Sequence, residues 1–323
     1  MGSQNMPLIP NIHAGGGRIV LSSYGSSHAV FSELSSTYPL KLLSPRISPS
    51  GVAVVYILSY GGGLVGGDQV NLSVDVDTGG VLVLLSQGST KVFKTRPEER
   101  LASVRIKRPT EHMATPASMK SPLATTQTLT FAVAAGGSLF LLPDPVTCFQ
   151  AASYRQIQTF HLSRTSSLVV LDWLTSGRKS LGEEWSFSKY YSANEIWTDG
   201  KRVAKDVMVL VDDEVDPGAK LPPRSLRDKL APYSCYAMVM LYGPLVQGAI
   251  RDMTAQYDQI SVLKSKVPAE MLWSLSPMTL GEGGGAIIRV AGSETEVVKK
   301  WLEQALLGLQ ETIGTDVFRR AFA

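Results

Sequence analysis

The stretch SYGGGLVGGDQVNLSV, Ser59 to Val74, places Gly61, Gly62, Gly63, Gly66 and Gly67 ahead of Asp68 and matches G-x-G-x-x-G at Gly61, Gly63 and Gly66. Such a loop cradles a phosphate when a strand precedes it and a helix follows it, because the N–H groups of the helix then face the anion. The strand is present in VAVVYIL (Val52 to Leu58), but the helix is not. Val70, Leu72, Val74 and Val76 alternate with polar residues, the period of a half-buried strand. Asp68 also stands where a P-loop would place a lysine, and a carboxylate repels phosphate. The glycines are therefore expected to join two strands in a hairpin-like connection.

Other polar residues interrupt apolar text: Ser89-Thr90-Lys91 after Gln87-Gly88, Asp144 in LLPDPVTCF, and Asp172, Arg178 and Glu183 in VVLDWLTSGRKSLGEEW. A buried carboxylate is costly unless it is paired or hydrogen-bonded, so these residues are expected to meet partners or a water-filled passage. The simplest pairing sets Arg178 against Asp172 or Glu183. No G-x-S-x-G is present, and His13, His28, His112 and His161 are scattered without an H-x-H or H-x-x-x-H pair. Cys148 and Cys235 form no C-x-x-C, so neither a disulfide framework nor a tight zinc, copper or nickel site is expected.

The elements that must hold these residues are mostly strands. RIVLS, HAVFSEL, VAVVYIL, QVNLSVDV, VLVLLS, LASVRIK, TLTFAV and SLFLLP follow one another up to about Leu142, and strand text continues to about Asp212. Asp77-Thr78-Gly79-Gly80 and Gly136-Gly137 leave no room for a crossover helix and point to antiparallel neighbours. The acidic DDEVDP, Asp212 to Pro217, reads as a solvated loop. Two helices are expected late in the chain. The first, from Pro244 to Lys266, carries Val246, Ile250, Met253, Tyr257, Ile260 and Leu263 on one face. The second starts from a capping box at Ser293 and Glu296 and carries Val297, Trp301, Ala305, Leu309 and Ile313 to Gly314. The fold class is mainly β and antiparallel-rich, in a single domain over 1–323 with a β-rich body at about 18–243 and a helix-containing part at about 244–323.

With 31 Lys+Arg against 28 Asp+Glu, the 323-residue chain carries a net charge of only +3 and no basic-aromatic run, so nucleic acid is not an expected partner. Hydrophobic residues at 44% suit a folded chain with a large core. The longest apolar stretch, CYAMVMLYGPLVQGAI, is short and broken by Gly243-Pro244, and no leader is read at the start, so the expectation is a cytoplasmic protein without a membrane partner.

In order and spacing, SYGGGLVGGDQVNLSV, GSTKVFKT, LLPDPVTCF and DWLTSGRKSLGEEW resemble the UreD (UreH) family of urease accessory proteins. The similarity runs from YPLKLLSP through EIWTDGKRV to GAIIRV and its helix. Phe93-Lys94 stands where many relatives have Tyr-Arg, and Asp172 where many have Glu. The resemblance implies a non-enzymatic scaffold with a helical, sandwich-like β body and two helices. It implies apo-urease and a UreF-type protein as partners, with a UreG-type GTPase reached through the complex. No cofactor would be bound tightly; nickel(II) would pass transiently, and Asp68, Thr90, Lys91 and Glu183 are the motif residues carried over as the polar wall of its passage. Two rival readings are a β-solenoid carbohydrate-active enzyme using Asp68, Asp172 or Glu183 as paired carboxylates, and a nucleotide-dependent enzyme using the glycine loop.

Overall fold

A computed structural model describes residues 13–24, 28–45, 51–94, 124–211, 224–260, 269–278 and 284–323. The expected strand LASVRIK, the acidic loop Asp212 to Pro217 and Leu263 lie outside these residues. In chain order the elements begin β1 (Gly16–Tyr24), β2 (His28–Ser36), β3 (Leu40–Leu43), β4 (Val52–Ser59), β5 (Gln69–Val76), β6 (Val81–Leu85) and β7 (Thr90–Val92). They continue β8 (Thr125–Val133), β9 (Ser138–Leu141), β10 (Val146–Cys148), β11 (Ser153–Leu162), β12 (Ser167–Thr175), β13 (Gly177–Arg178), β14 (Glu183–Glu184), β15 (Lys189–Thr198) and β16 (Lys201–Val211). After α1 (Leu226–Leu230) come β17 (Cys235–Tyr242), α2 (Gln247–Asp258), β18 (Met271–Met278), β19 (Gly285–Gly292), α3 (Thr295–Ala305), α4 (Gln310–Ile313) and α5 (Thr315–Ala321).

The strands form a seven-stranded sheet ordered β16-β15-β11-β8-β5-β1-β2 and a ten-stranded sheet whose path runs β18-β19-β17-β12-β9-β6-β4-β3, with β10 and β7 attached beside β12. The mainly β class holds, and the pairing is mixed. β5, β8, β11 and β15 are mutually parallel neighbours in one sheet, and β4, β6, β9 and β12 in the other.

This corrects the reading of the turns. The Asp77-Gly80 turn, closed by Gly80 N–H to Asp77 C=O at 3.0 Å, carries the chain from β5 in one sheet to β6 in the other, and the turn at Gly136-Gly137 does the same from β8 to β9. A tight turn reverses the chain whether it closes a hairpin or crosses between layers, and burial decides which. β4, β6, β9 and β12 are apolar on both faces, as strands covered on both sides must be, and each finds its neighbours within the covered layer. β5 alternates because only its Val70, Leu72, Val74 and Val76 face inward. A two-residue hairpin turn does occur at Asp199-Gly200, where both residues have positive φ (51° and 73°) and join antiparallel β15 and β16.

The ten-stranded sheet has a core on each face. Toward the other sheet lie Ile19, Val55, Leu72, Leu84, Phe131 and Phe160, with the two phenyl rings stacked at 4.7 Å. Toward the helices lie Val54, Phe140, Val169, Leu241, Leu302 and Phe318. β18 and β19 extend the same sheet, so the C-terminal part mixes strands with helices.

The helices differ in detail from expectation. α2 is shorter than the predicted span within the described residues and buries Val246 and Met253, while Ile260 is exposed. α3 starts at Thr295 with Glu294 at its N-cap and no side-chain cap, so the Ser293–Glu296 capping box does not form; the Ser293 carbonyl instead accepts from Ser234 Oγ. The centre of its buried face is Val298 and Leu302, one residue beyond the expected Val297 and Trp301, which lie on its flank. It ends near Leu306, and two short helices follow. A capping box does form at α1, where Ser225 and Asp228 bond reciprocally.

Candidate functional site

The motif segments meet at one end of the β body, laced side by side by backbone hydrogen bonds. Leu64 of the glycine loop bonds both sides of the tail of β7: Leu64 N–H to Lys91 C=O at 2.8 Å and Phe93 N–H to Leu64 C=O at 2.9 Å. β7 pairs in parallel with β10, and β10 with the end of β12. The chain then turns through β13, which pairs with β14 so that Arg178 opposes Glu183.

No α-helix follows the glycines. A single 3-10 turn at Tyr60–Gly62 precedes a crossing from β4 to β5 in the opposite sheet, so the loop is structural but not a hairpin. Gly63 is required by close approach: a Cβ there would stand 2.7 Å from the Lys91 carbonyl oxygen and 2.5 Å from the Phe93 ring.

Asp68 closes the turn Val65-Gly66-Gly67-Asp68. Its Oδ2 accepts from Val65 N–H at 2.8 Å, and beside it Thr125 Oγ1 accepts from Gly67 N–H at 3.2 Å and donates to Val65 C=O at 3.1 Å. The residue is 1% exposed, and its Oδ1 has no hydrogen-bond partner among the described residues. Burial raises its pKa above the ordinary 3.8, partly offset by the Val65 N–H.

Glu183 has a different setting. Arg178 holds it bidentately, Nε to Oε2 at 2.8 Å and Nη2 to Oε1 at 2.6 Å, and the guanidinium lies 4.2 Å from the Phe149 ring centroid. Phe149 in turn meets Phe93 edge-on at 5.2 Å. The Arg178 hydrogen bonds pull the Glu183 carboxyl below its ordinary range, with Gln150 N–H and the charge of Lys94 acting the same way. Of the two pairings open to Arg178, the structure selects Glu183. Trp185 and Ala151, with φ of 54° and 58°, flank this pair in the left-handed region disfavoured for side chains of their kind.

Asp172 points between the sheets. It accepts from Gln156 Nε2 at 3.1 Å, Ser192 Oγ at 2.5 Å and Asn194 Nδ2 at 2.7 Å, while the Tyr154 hydroxyl, with one proton to donate, lies within hydrogen-bond distance of the side-chain oxygens of both Gln127 and Gln156. Burial raises the Asp172 pKa, against these three hydrogen bonds. Buried acceptors Gln158 Oε1 and Asn194 Oδ1 have no hydrogen-bond partner among the described residues. Asp172, Gln156, Gln158, Gln127, Ser86 and Thr90 line a cavity of about 40 Å³, room for roughly two or three waters.

Thr90, Ser86 and Ile57 also line a separate surface pocket, so these three residues stand between the two spaces. Asp144 fixes that wall: its Oδ2 accepts from Ser86 Oγ at 3.0 Å and Gly88 N–H at 2.8 Å, and its own N–H donates to Ser86 Oγ at 2.7 Å. Lys91 is exposed on β7.

Thus Thr90, Asp144 and Asp172 gather around one cavity, which apolar side chains such as Leu129, Leu141 and Trp173 also line, whereas Asp68 sits under the glycine loop and Glu183 beside the two phenylalanines. The sequence reading missed the inward layer of Gln127, Gln156, Gln158, Ser192 and Asn194. The available signal was phase, since Gln156 and Gln158 alternate in step with inward Tyr154 and Phe160. Among the described residues no three His, Cys, Asp or Glu side chains gather as a metal-ligand group, and no helix is long and apolar enough to cross a membrane.

A family model described as UreD urease accessory protein matches residues 13–320. The chain is 36% identical over 325 aligned residues to urease accessory protein 4 of Cryptococcus neoformans var. grubii, covering 96% of each chain. It is 33% identical to urease accessory protein UreD of Anaeromyxobacter sp., covering 96% of this chain and 90% of the relative. It is 30% identical to urease accessory protein D of Arabidopsis thaliana, covering 92% and 97%.

Proposed function

The chain belongs to the UreD family of urease accessory proteins, and from that premise we propose that it is a non-enzymatic scaffold of nickel insertion. In this reading it binds apo-urease and a UreF-type partner in the cytoplasm, a UreG-type GTPase acts through the assembled complex, and nickel(II) is cargo passed toward the urease active site. The observation that supports it is the gathering of the motif segments at one end of the β body, in front of a small cavity into which Asp172, amides and hydroxyls bring oxygen atoms among apolar side chains. Its donor set is oxygen-rich: Asp172, amide oxygens and hydroxyls hold a borderline divalent ion loosely, which suits release more than storage. Asp68 and Asp172, at 1% and 9% exposure, are beyond the reach of a polysaccharide chain, and Glu183 is locked to Arg178, which argues against the carbohydrate-enzyme rival.

The test is co-purification with apo-urease and the UreF-type protein, together with the nickel content of urease matured with and without this chain. A ternary complex and nickel-dependent activation are expected. Urease that loads nickel equally well without the chain would remove the proposal. For the isolated protein, calorimetry is expected to report nickel binding in the micromolar range or weaker, at most roughly 8 kcal/mol.

A further inference from the structure

A surface pocket of about 330 Å³ lies between Lys41 and the Ile57–Gly62 segment on one side and Ser86–Thr90 on the other. Among the described residues Lys41 is the only charged one lining it, and no carboxylate does. The Lys41 ammonium stands 5.6 Å from the Tyr60 ring centroid and makes no ion pair among the described residues. Ser59, Ser89 and Thr90 bring hydroxyls that have no hydrogen-bond partner among the described residues, while Ser86 is held from behind by Asp144. Gly61 and Gly62 have φ of 72° and 78°, and a Cβ on either would meet open space, so bare main chain forms part of the wall.

We propose that this pocket is a carboxylate-binding site. One cation, several hydroxyl donors and accessible backbone match a single negative charge carried on a planar, hydrogen-bond-accepting group; a phosphate dianion would leave one charge uncompensated. The volume accommodates an aspartate or glutamate side chain, a polypeptide C-terminus or a small free carboxylic acid. The occupant would rest against Thr90 and Ser86, which also face the interior cavity, and would neutralise the one positive charge at that wall. The consequence for a passing cation rests on the nickel-passage reading; carboxylate binding itself does not.

Titration of the full chain with N-acetyl-L-glutamate, followed by calorimetry and by the backbone amide resonances of Gly61, Gly62 and Gly88, tests it at constant ionic strength. Saturable binding with Kd in the range of about 1–10 mM is expected, with N-acetyl-L-glutamine and inorganic phosphate at least about tenfold weaker. Lys41→Gln is expected to weaken glutamate binding about tenfold or more, and Lys41→Arg to retain it. The amide shifts of the unsubstituted protein report on the pocket even where a variant folds poorly. A short peptide with one internal glutamate that binds at least about tenfold more tightly than N-acetyl-L-glutamate identifies a polypeptide as the source; equal affinity identifies a free carboxylate. No saturable shift at these glycines below about 100 mM, affinity indifferent to Lys41→Gln, or equal binding of the glutamine analogue or phosphate overturns the proposal. None of these results depends on nickel or urease, so the pocket and the nickel reading fail separately.

Discussion

The two cores on opposite faces of the ten-stranded sheet are built from the same strands but differ in chemistry. β12 sends Val169, Leu171 and Trp173 to the helix side, where they join a large buried apolar cluster, and sends Leu168, Val170 and Asp172 to the sheet side, where a layer of amides and hydroxyls meets the carboxylate beside a second apolar cluster. A fold that needed only stability would have filled both faces alike, since a buried charge replaced by apolar residues of similar volume is often neutral or stabilising. The helix-side core therefore reads as support, and the proposed function gives the sheet-side polar layer a task beyond it.

The comparison breaks first if the helix-side core contributes little to stability. Phe318 is fully buried and packs 5.0 Å from Phe322, so Phe318→Ala is expected to cost about 3–5 kcal/mol in urea unfolding with an unchanged m-value. Leu302→Ala should fall in the range of about 2–5 kcal/mol, and Trp301→Ala below it, because Trp301 is only half-buried and keeps one face against Trp273. Equal losses at Trp301 and Leu302 would restore the face first predicted for this helix.

On the sheet side, Asp172→Ala removes the acceptor of three donors and is expected to cost about 2–3 kcal/mol. Replacing both ends of one bond, Gln156→Leu with Asp172→Leu, should recover part of that loss, because one of the three donors is removed with its acceptor while Ser192 and Asn194 still face an absent carboxylate. A double variant with near-native unfolding that still fails to load urease with nickel would separate the task of the layer from its structural role. Normal loading would make the layer structural.

Legibility in the sequence followed the same division. Strands covered on both faces announced themselves as near-continuous apolar runs, VAVVYIL and SLVVLDWL, and strands of the outer sheet as alternation in QVNLSVDV. What the text did not disclose was which neighbour each strand takes, because Asp77-Thr78-Gly79-Gly80 reads alike whether it closes a hairpin or crosses between layers. The candidate site was legible where a charge interrupted apolar text, as at Asp172 and Asp144, and hidden where a neutral amide did, as at Gln127, Gln156 and Asn194. In SYRQIQTFHL the phase of Gln156 and Gln158 with Tyr154 and Phe160 is the one signal that marks them as inward, and Thr159 on the opposite face dilutes it.

Asp68 gives a smaller and pH-dependent test. Its folded pKa is raised, so the native state holds a proton that the unfolded chain has already released. Stability is therefore fully present below the ordinary value of 3.8 and falls as pH rises from there through the raised folded pKa. Asp68→Asn keeps the acceptor for Val65 N–H and removes the ionisation, so at neutral pH it should lie within about 1 kcal/mol of the unsubstituted protein or slightly above it, with a flatter dependence on pH. The same falling slope in the Asn variant would assign it to Asp172, whose pKa is raised in the same direction.

The smallest expected change in stability, and the sharpest test of function, is at Glu183. Its ion pair with Arg178 is reached by solvent, and pairs of that kind contribute little to folding, so Glu183→Gln should leave thermal melting unaltered within error. The pair does orient the guanidinium over Phe149 and therefore shapes the surface made by Phe149, Phe93 and the edge of the glycine loop. If the carboxylate belongs to the nickel path, Glu183→Gln lowers the nickel content of co-expressed urease while the accessory complex is recovered intact. If its work is to hold Arg178 in place for a partner, the same variant loses the complex, and Arg178→Gln, which leaves the carboxylate untouched, loses it equally. Nickel loading that survives both substitutions with the complex intact would confine this corner of the motif end to neither role.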